Sequence, residues 1–230
     1  MEGGDRSALI LGATGLVGSH LLKLLLADSL YSRILTLTRR NIACNNPRLK
    51  QHVIEFKDFE STLETLSVND IYCCLGTTIK QAGSKKAFNQ VDYEYPLKAA
   101  EILKPVADHF LLVSAIGADS SSNFFYNRVK GRLEEALAAL GYGNITIVRP
   151  SLLLGERNPR SDGKSSRIME SIGIQMAGLV SPMLIGPLAN YAPVEAEDVA
   201  RTLVRAASNA LKEPEPTGVR VIESQHIGRL

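Results

Sequence analysis

Residues 7–26 read SALILGATGLVGSHLLKLLL, and the change of pattern inside this stretch decides the fold. Four apolar residues, Ala8 to Leu11, run into Gly12-Ala-Thr-Gly15-Leu-Val-Gly18, after which apolar residues recur at helical spacing at Val17, Leu21, Leu24 and Leu25. The pattern predicts strand, tight turn, helix. Gly12 suits the turn out of the strand, Gly15 the close approach of a ligand, and Gly18 tight packing of helix on strand. A helix that begins there aims unpaired N–H groups and the positive end of its dipole at an anion. The segment therefore predicts a dinucleotide pyrophosphate cradle made by Gly12, Thr14, Gly15, Leu16, Val17 and Gly18. An ordinary βα turn has the same glycines; the strand before and the helix after favour the cradle.

The second informative position follows one strand later. Residues 33–38 (RILTLT) form the expected second strand, which ends in Arg39-Arg40. A site for NAD usually places an acid here, about 20 residues past the glycines, to accept from the ribose 2′-OH. Two guanidinium groups instead suit a 2′-phosphate through forked, charge-assisted hydrogen bonds, so NADP is expected ahead of NAD.

From there strands and helices alternate. Residues 52–59 are expected as a third strand, with Asp58 and its neighbour Phe59 placed to reach the base, and 62–66 as a short helix. Residues 70–75 make a fourth strand running into Gly76-Thr77-Thr78, where small side chains let a cofactor lie against the backbone. A helix over 85–103, bent or broken at Pro96, precedes a fifth strand at 109–114. A helix over 125–140 and a sixth strand at 145–148 come next, closed by Arg149-Pro150, with Pro150 among the expected cofactor contacts. Past it lie a charged loop (Glu156, Arg157, Arg160, Asp162, Lys164, Arg167), an apolar stretch from Ile172 to Leu188, an amphipathic helix over 197–207 and a last strand at 219–223. This alternation predicts a doubly wound α/β parallel sheet with right-handed crossovers, whose ligands sit beyond the carboxyl ends of the strands.

Composition narrows the partners. The 230 residues carry a net charge of +2 and no long basic run, which points away from nucleic acid or a membrane surface and leaves a small polar or anionic molecule. No segment approaches ~18 uncharged apolar residues. Three cysteines, Cys44, Cys73 and Cys74, are an odd number, and the adjacent pair faces opposite sides of a strand, so no disulfide framework is expected and a reducing, cytoplasmic setting follows. His20, His52, His109 and His226 are scattered without metal-ligand spacing.

Tyr126-Asn-Arg-Val-Lys130 places a phenol and an ammonium one helical turn apart on one face. A neighbouring cation stabilises a phenolate, so Tyr126 is expected to exchange a proton near neutral pH. Ser114, at the mouth of the fifth strand, could hydrogen-bond a substrate carbonyl. Lys130 could also hold the nicotinamide ribose. Spacing alone decides little; the position of the pair, opening the helix after strand five in a chain that begins with a glycine-rich turn, makes it specific.

At this point the chain resembles the short-chain dehydrogenase/reductase superfamily. GATGLVGSHLL, SAIGADSSSNFFYNRVKGRLEEAL and VRPSLLLGER look like the Tat-interacting-protein family of atypical members. The resemblance implies a Rossmann-type NAD(P)-binding domain over 1–230, with about 150–193 forming a small substrate-side cap. It matches Gly12, Gly15 and Gly18 to the cofactor glycines, Arg39 to the 2′-phosphate contact, and Ser114, Tyr126 and Lys130 to the catalytic triad. Where many superfamily members carry a relay asparagine, this chain has Asp92. Three functions stay open: an NADP(H)-dependent oxidoreductase of a small carbonyl or alcohol substrate; a cofactor-binding regulator that meets a protein partner, with the 172–188 stretch as a candidate surface; and a nucleotide-sugar epimerase or dehydratase, with the charged loop gripping an anionic substrate.

Overall fold

The computed structural model describes residues 4–155, 192–213 and 215–229. The expected strand, turn and helix are β1 (Arg6–Leu11) and α1 (Leu16–Ala27), followed by β2 (Tyr31–Thr38) and β3 (Leu49–Val53). Then come α2 (Phe59–Leu63), β4 (Asp70–Cys73), α3 (Ile79–Ala82), α4 (Lys85–Asn89), α5 (Tyr95–Leu103), β5 (His109–Val113), α6 (Phe125–Ala139) and β6 (Asn144–Arg149). The two-residue strands β7 (Leu153–Leu154) and β8 (Val194–Glu195) pair with each other, α7 spans Ala196–Ala210, and β9 spans Gly218–Glu223.

Seven strands form one parallel sheet in the order β3-β2-β1-β4-β5-β6-β9. Alternation along β1 builds both layers, because successive side chains leave opposite faces. Ala8 and Ile10 join Leu21 and Leu25 of α1 and Val199 and Leu203 of α7. Leu9 and Leu11 join Leu63 of α2, Leu103 of α5, and Leu133 and Leu137 of α6. The order reverses direction between β1 and β4, which opens a crevice at the carboxyl ends of these two strands. This is the doubly wound, Rossmann-type sheet expected from the sequence. The proposed cap falls largely on 156–191, as do the charged loop and the 172–188 stretch, all outside the described residues.

Two elements differ from expectation. The third strand is 49–53 rather than 52–59, paired in register from Ile34↔Leu49 to Thr38↔Val53. It is an edge strand, LKQHV, with little to bury, so its apolar pattern is weak. Phe56–Asp58 is instead a 3₁₀ turn leading into α2, where Phe59 and Leu63 are buried four residues apart, the helical spacing. Asp58 is thus on a helical turn, its carbonyl accepting from the Ser61 and Thr62 hydroxyls, and not at a strand end.

The long helix over 85–103 is broken as expected, but ahead of Pro96. Residues Gln90–Glu94 form a π-helical turn, closed by Tyr95 N–H donating to the Gln90 carbonyl. Pro96 sits in the first turn of α5, lacks the N–H that would bond the Asp92 carbonyl, and its ring crowds that carbonyl, so the break falls on the preceding turn. The bulge turns Asp92 fully inward, with no exposed surface.

Candidate active site

The crevice floor is made by backbone. Gly12 has φ +84°, and a Cβ there would lie 2.5 Å from the Cys74 carbonyl oxygen at the end of β4, so glycine is required both for conformation and for space. A Cβ on Gly18 would lie 2.2 Å from the Gly12 carbonyl oxygen, which is how closely α1 packs on the turn. At the start of α1 no side chain caps the helix and no acidic residue occupies its first turn. The N–H groups of Leu16, Val17 and Gly18 therefore lack intrahelical acceptors and suit an anion. Thr14 is exposed on the same turn.

Arg39 and Arg40, both exposed, follow β2. The Arg39 guanidinium lies 5.5 Å over the Phe56 ring, and Phe56 stacks on Tyr95 at 4.9 Å between centroids with 3° between planes. Phe59 is buried against the same Tyr95, at 5.0 Å. Uncapped N–H groups beside paired arginines and an open aromatic stack suit a phosphorylated dinucleotide, and the residues present fit one.

A second group of the expected residues gathers beside the loop after β4. On α6, Lys130 is buried and its Nζ lies 2.8 Å from Asp92 Oδ1, while the other oxygen of Asp92 accepts the Thr77 N–H at 3.0 Å. The pair sits beneath the loop after β4: a Cβ on Gly76 would lie 3.7 Å from Asp92 Oδ1 and 3.9 Å from Lys130 Nζ. Thr78 caps α3 by accepting the Gln81 N–H. Tyr126, one turn before Lys130, remains 37% exposed, with its ring 5.6 Å from that of Phe88. Burial is the largest influence on Lys130 and opposes its charge, but Asp92 and Tyr126 offset it and hold the ammonium above its usual value. Desolvation pushes the Tyr126 hydroxyl up, Lys130 opposes, and Asp92 adds to the rise. The lowered phenol expected from Lys130 alone is thus corrected, because the lysine arrives already paired with a carboxylate.

Ser114 ends β5, but its hydroxyl donates to Glu134 of α6. Arg149 holds both oxygens of Glu134 and also pairs with Glu223 at 2.9 Å, and Glu134 in turn raises the Arg149 guanidinium. Ser114 therefore belongs to a polar chain across the ends of β5, β6 and β9, whereas Tyr126 and Lys130 face the π turn. Pro150, buried, accepts the Ile116 N–H and fixes the loop that leaves β5.

Sequence reasoning missed Glu134, Arg149 and Gly131. Lys130 and Glu134 stand one turn apart beside the apolar stripe Val129, Leu133 and Leu137, and two charges on a buried helix face were the available signal. Gly131 was a second signal, since glycine inside a helix costs stability unless something must come close. Here it is the backbone of Asp119 and Ser120. Among the described residues no group of three His, Cys, Asp or Glu could hold a metal ion, and no helix is long and apolar enough to cross a membrane.

Comparison with known proteins agrees with this fold. Residues 8–221 match the NAD dependent epimerase/dehydratase family. The chain is similar to Protein HTATIP2 of Rattus norvegicus, 36% identical over 167 residues covering 70% of this chain and 68% of that protein. That similarity bears out the resemblance read from the sequence. It is also similar to Protein FMP52, mitochondrial, of Meyerozyma guilliermondii, 35% identical and covering 93% and 90%. Among solved structures, the WbmF enzyme of Bordetella bronchiseptica in complex with NAD+ shares the fold, with a TM-score of 0.68 at 17% identity, covering all of this chain and 77% of that one. Relatives named mitochondrial overturn the cytoplasmic setting expected above. Three unpaired cysteines speak only against a disulfide framework, and a chain without one is not thereby assigned to a compartment.

Proposed function

The chain belongs to the NAD dependent epimerase/dehydratase family, and on that footing we propose that it is an NADP(H)-dependent oxidoreductase acting on a small carbonyl or alcohol compound. The observation that carries the reading is Tyr126 one helical turn from the buried Lys130, in a sheet whose first βα turn leaves the start of α1 uncapped. When bound, the cofactor supplies or accepts hydride. Gly12, Thr14, Gly15, Leu16, Val17 and Gly18 hold its pyrophosphate, Arg39 and Arg40 the 2′-phosphate, Asp58 and Phe59 the region of the base, and Gly76, Thr77, Thr78 and Pro150 the remaining length, with Lys130 toward the ribose.

The chain itself moves the proton. Tyr126 gives a proton to the substrate oxygen as charge develops there. Ser114 orients that oxygen once its O–H turns from Glu134, whose carboxylate stays satisfied by Arg149. Fluorescence titration with NADPH and NADH tests the cofactor assignment: Arg39→Ala and Arg40→Ala should each weaken NADPH roughly tenfold or more and NADH far less. NADPH oxidation across a panel of carbonyl compounds tests the reaction. Tyr126→Phe should lower kcat by about 10²–10⁴ with NADPH affinity unchanged; parallel loss of both would overturn the role of Tyr126.

A second reading has the family match in its favour, namely an epimerase or dehydratase of a sugar nucleotide. Binding and turnover of sugar nucleotides, with no net cofactor oxidation, would replace the first reading by this one. Tight cofactor binding with no turnover of either class would instead assign the chain a regulatory role.

A further inference from the structure

The buried ion pair beneath the loop after β4 is more elaborate than a lysine that only steadies a cofactor requires. Asp92 has no exposed surface, and it reaches its place because the helix bulges into a π turn at 90–94. Its Oδ1 lies 2.8 Å from Lys130 Nζ as an ion pair and makes no other polar contact, while its Oδ2 accepts the Thr77 N–H at 3.0 Å. Burying two charges is costly unless they are paired and hydrogen-bonded, and removing one partner leaves the other exposed to the full cost. The pair therefore behaves as one neutral unit. We propose that Asp92 is a positioning residue of the site: by clamping Lys130 it cancels the positive charge next to Tyr126, so that the phenol meets a carbonyl protonated, as a proton donor, and keeps that form to higher pH than a free lysine beside it would allow. This rests on the oxidoreductase reading and adds to it the protonation state in which Tyr126 meets substrate.

The surroundings support that assignment. The charged groups acting on the Tyr126 hydroxyl are Lys130 from its own helix, which favours the phenolate, and Asp92 from the π turn, which disfavours it. Desolvation disfavours the phenolate further and is the largest influence. From α4 the neighbour is the uncharged Phe88 ring. From β4 Lys130 meets Cys73, whose thiol is pushed by burial up to about 11 and so carries no charge at neutral pH. Nothing else among these neighbours replaces the charge that Asp92 neutralises. The proton balance is simple: Tyr126 loses its proton to the substrate oxygen, a bound reduced cofactor would supply the hydride that the carbonyl carbon takes up, and solvent returns a proton to the phenolate.

The test needs no turnover. The chain has no tryptophan, so ultraviolet difference absorbance during a pH titration reports tyrosinate directly, and subtracting the Tyr126→Phe protein isolates Tyr126 from the other six tyrosines. In the free full-length protein, Asp92→Asn should move the Tyr126 midpoint down by about one pH unit or more, because the forming phenolate takes over from the carboxylate in holding the Lys130 ammonium, which then acts on Tyr126 unopposed. Asp92→Ser should do the same, and serves if the amide disturbs folding. Asp92→Glu, which keeps the charge, should return the midpoint toward that of the unaltered protein. Midpoints that stay in place or rise in both neutral variants would overturn the proposal. If the midpoint shifts and no carbonyl is ever reduced, the oxidoreductase reading fails while the electrostatic role of Asp92 stands. If turnover depends on Tyr126 and the midpoint does not move, the role of Asp92 fails alone.

Discussion

Gly131→Ala separates tertiary packing from helix propensity, because the two predict opposite signs. In an open helix the change stabilises by ~1 kcal/mol. At position 131 the new Cβ would lie 2.2 Å from the Asp119 carbonyl carbon and 2.2 Å from the Ser120 nitrogen, both backbone atoms that no rotamer can move aside. The loop between β5 and α6 must lift away. It is held by Asn127 Nδ2 donating to the Gly117 carbonyl at 2.7 Å and by the Asp119 N–H donating to the Asn127 carbonyl at 3.1 Å. Losing two such bonds at ~1 kcal/mol each, together with an overpacking cost of about 1–3 kcal/mol, outweighs the propensity gain and leaves a net loss of about 2–4 kcal/mol. For a chain of this size that lowers Tm by roughly 5–15 °C. Denaturant unfolding and scanning calorimetry read the change, and turnover should fall with it, since the loop leads directly into Tyr126. A variant as stable as the parent, or more stable, would refute the claim that the loop rests on the helix at this point.

Ser114→Ala should lower kcat by about 10²–10³ at unchanged cofactor affinity, with a stability loss of ~1 kcal/mol from the bond to Glu134; a lower Tm with kcat intact would confine Ser114 to holding Glu134. Burial, helped by Arg6, lowers His109 to about 4, where its ring meets the Thr146 hydroxyl at 2.9 Å, whereas a histidine in the unfolded chain titrates near ~6.5. The unfolded chain therefore takes up that proton first, so stability should be level above pH ~6.5 and decline by roughly 3 kcal/mol as pH falls toward about 4. His109→Gln should flatten that limb in urea unfolding measured across the range, and an unchanged slope would exclude His109 as its source. Leu203→Ala removes a fully buried side chain between α7 and the sheet and should cost about 2–5 kcal/mol in urea unfolding with little change in m.

What the sequence disclosed depended on whether a local pattern carried the structural cause. The turn at 12–18 was legible because glycine is demanded by backbone geometry, and strands β1, β4, β5 and β6 because they are buried on both faces and read as apolar runs. β3 was misplaced because an edge strand buries little, while Phe56 and Phe59 mimicked its continuation. The spacing of Tyr126 and Lys130 was legible, but their electrostatics were not. The partner of Lys130 comes from another helix, and its inward turn depends on a π bulge set by Pro96. The bond from Ser114 to Glu134 was not legible, because nothing local announces a partner that comes to it across the fold from α6.

The adjacency of β1 and β4 also bears on how the protein is born. The glycine-rich turn lies against the carbonyl of Cys74, and the Cys74 N–H in turn donates to the Leu11 carbonyl at 2.8 Å. While the ribosome has delivered only the opening strand and helix, that turn has nothing to rest against. Whatever the turn comes to hold can therefore reward only a chain whose middle has already been synthesised and inserted beside its beginning.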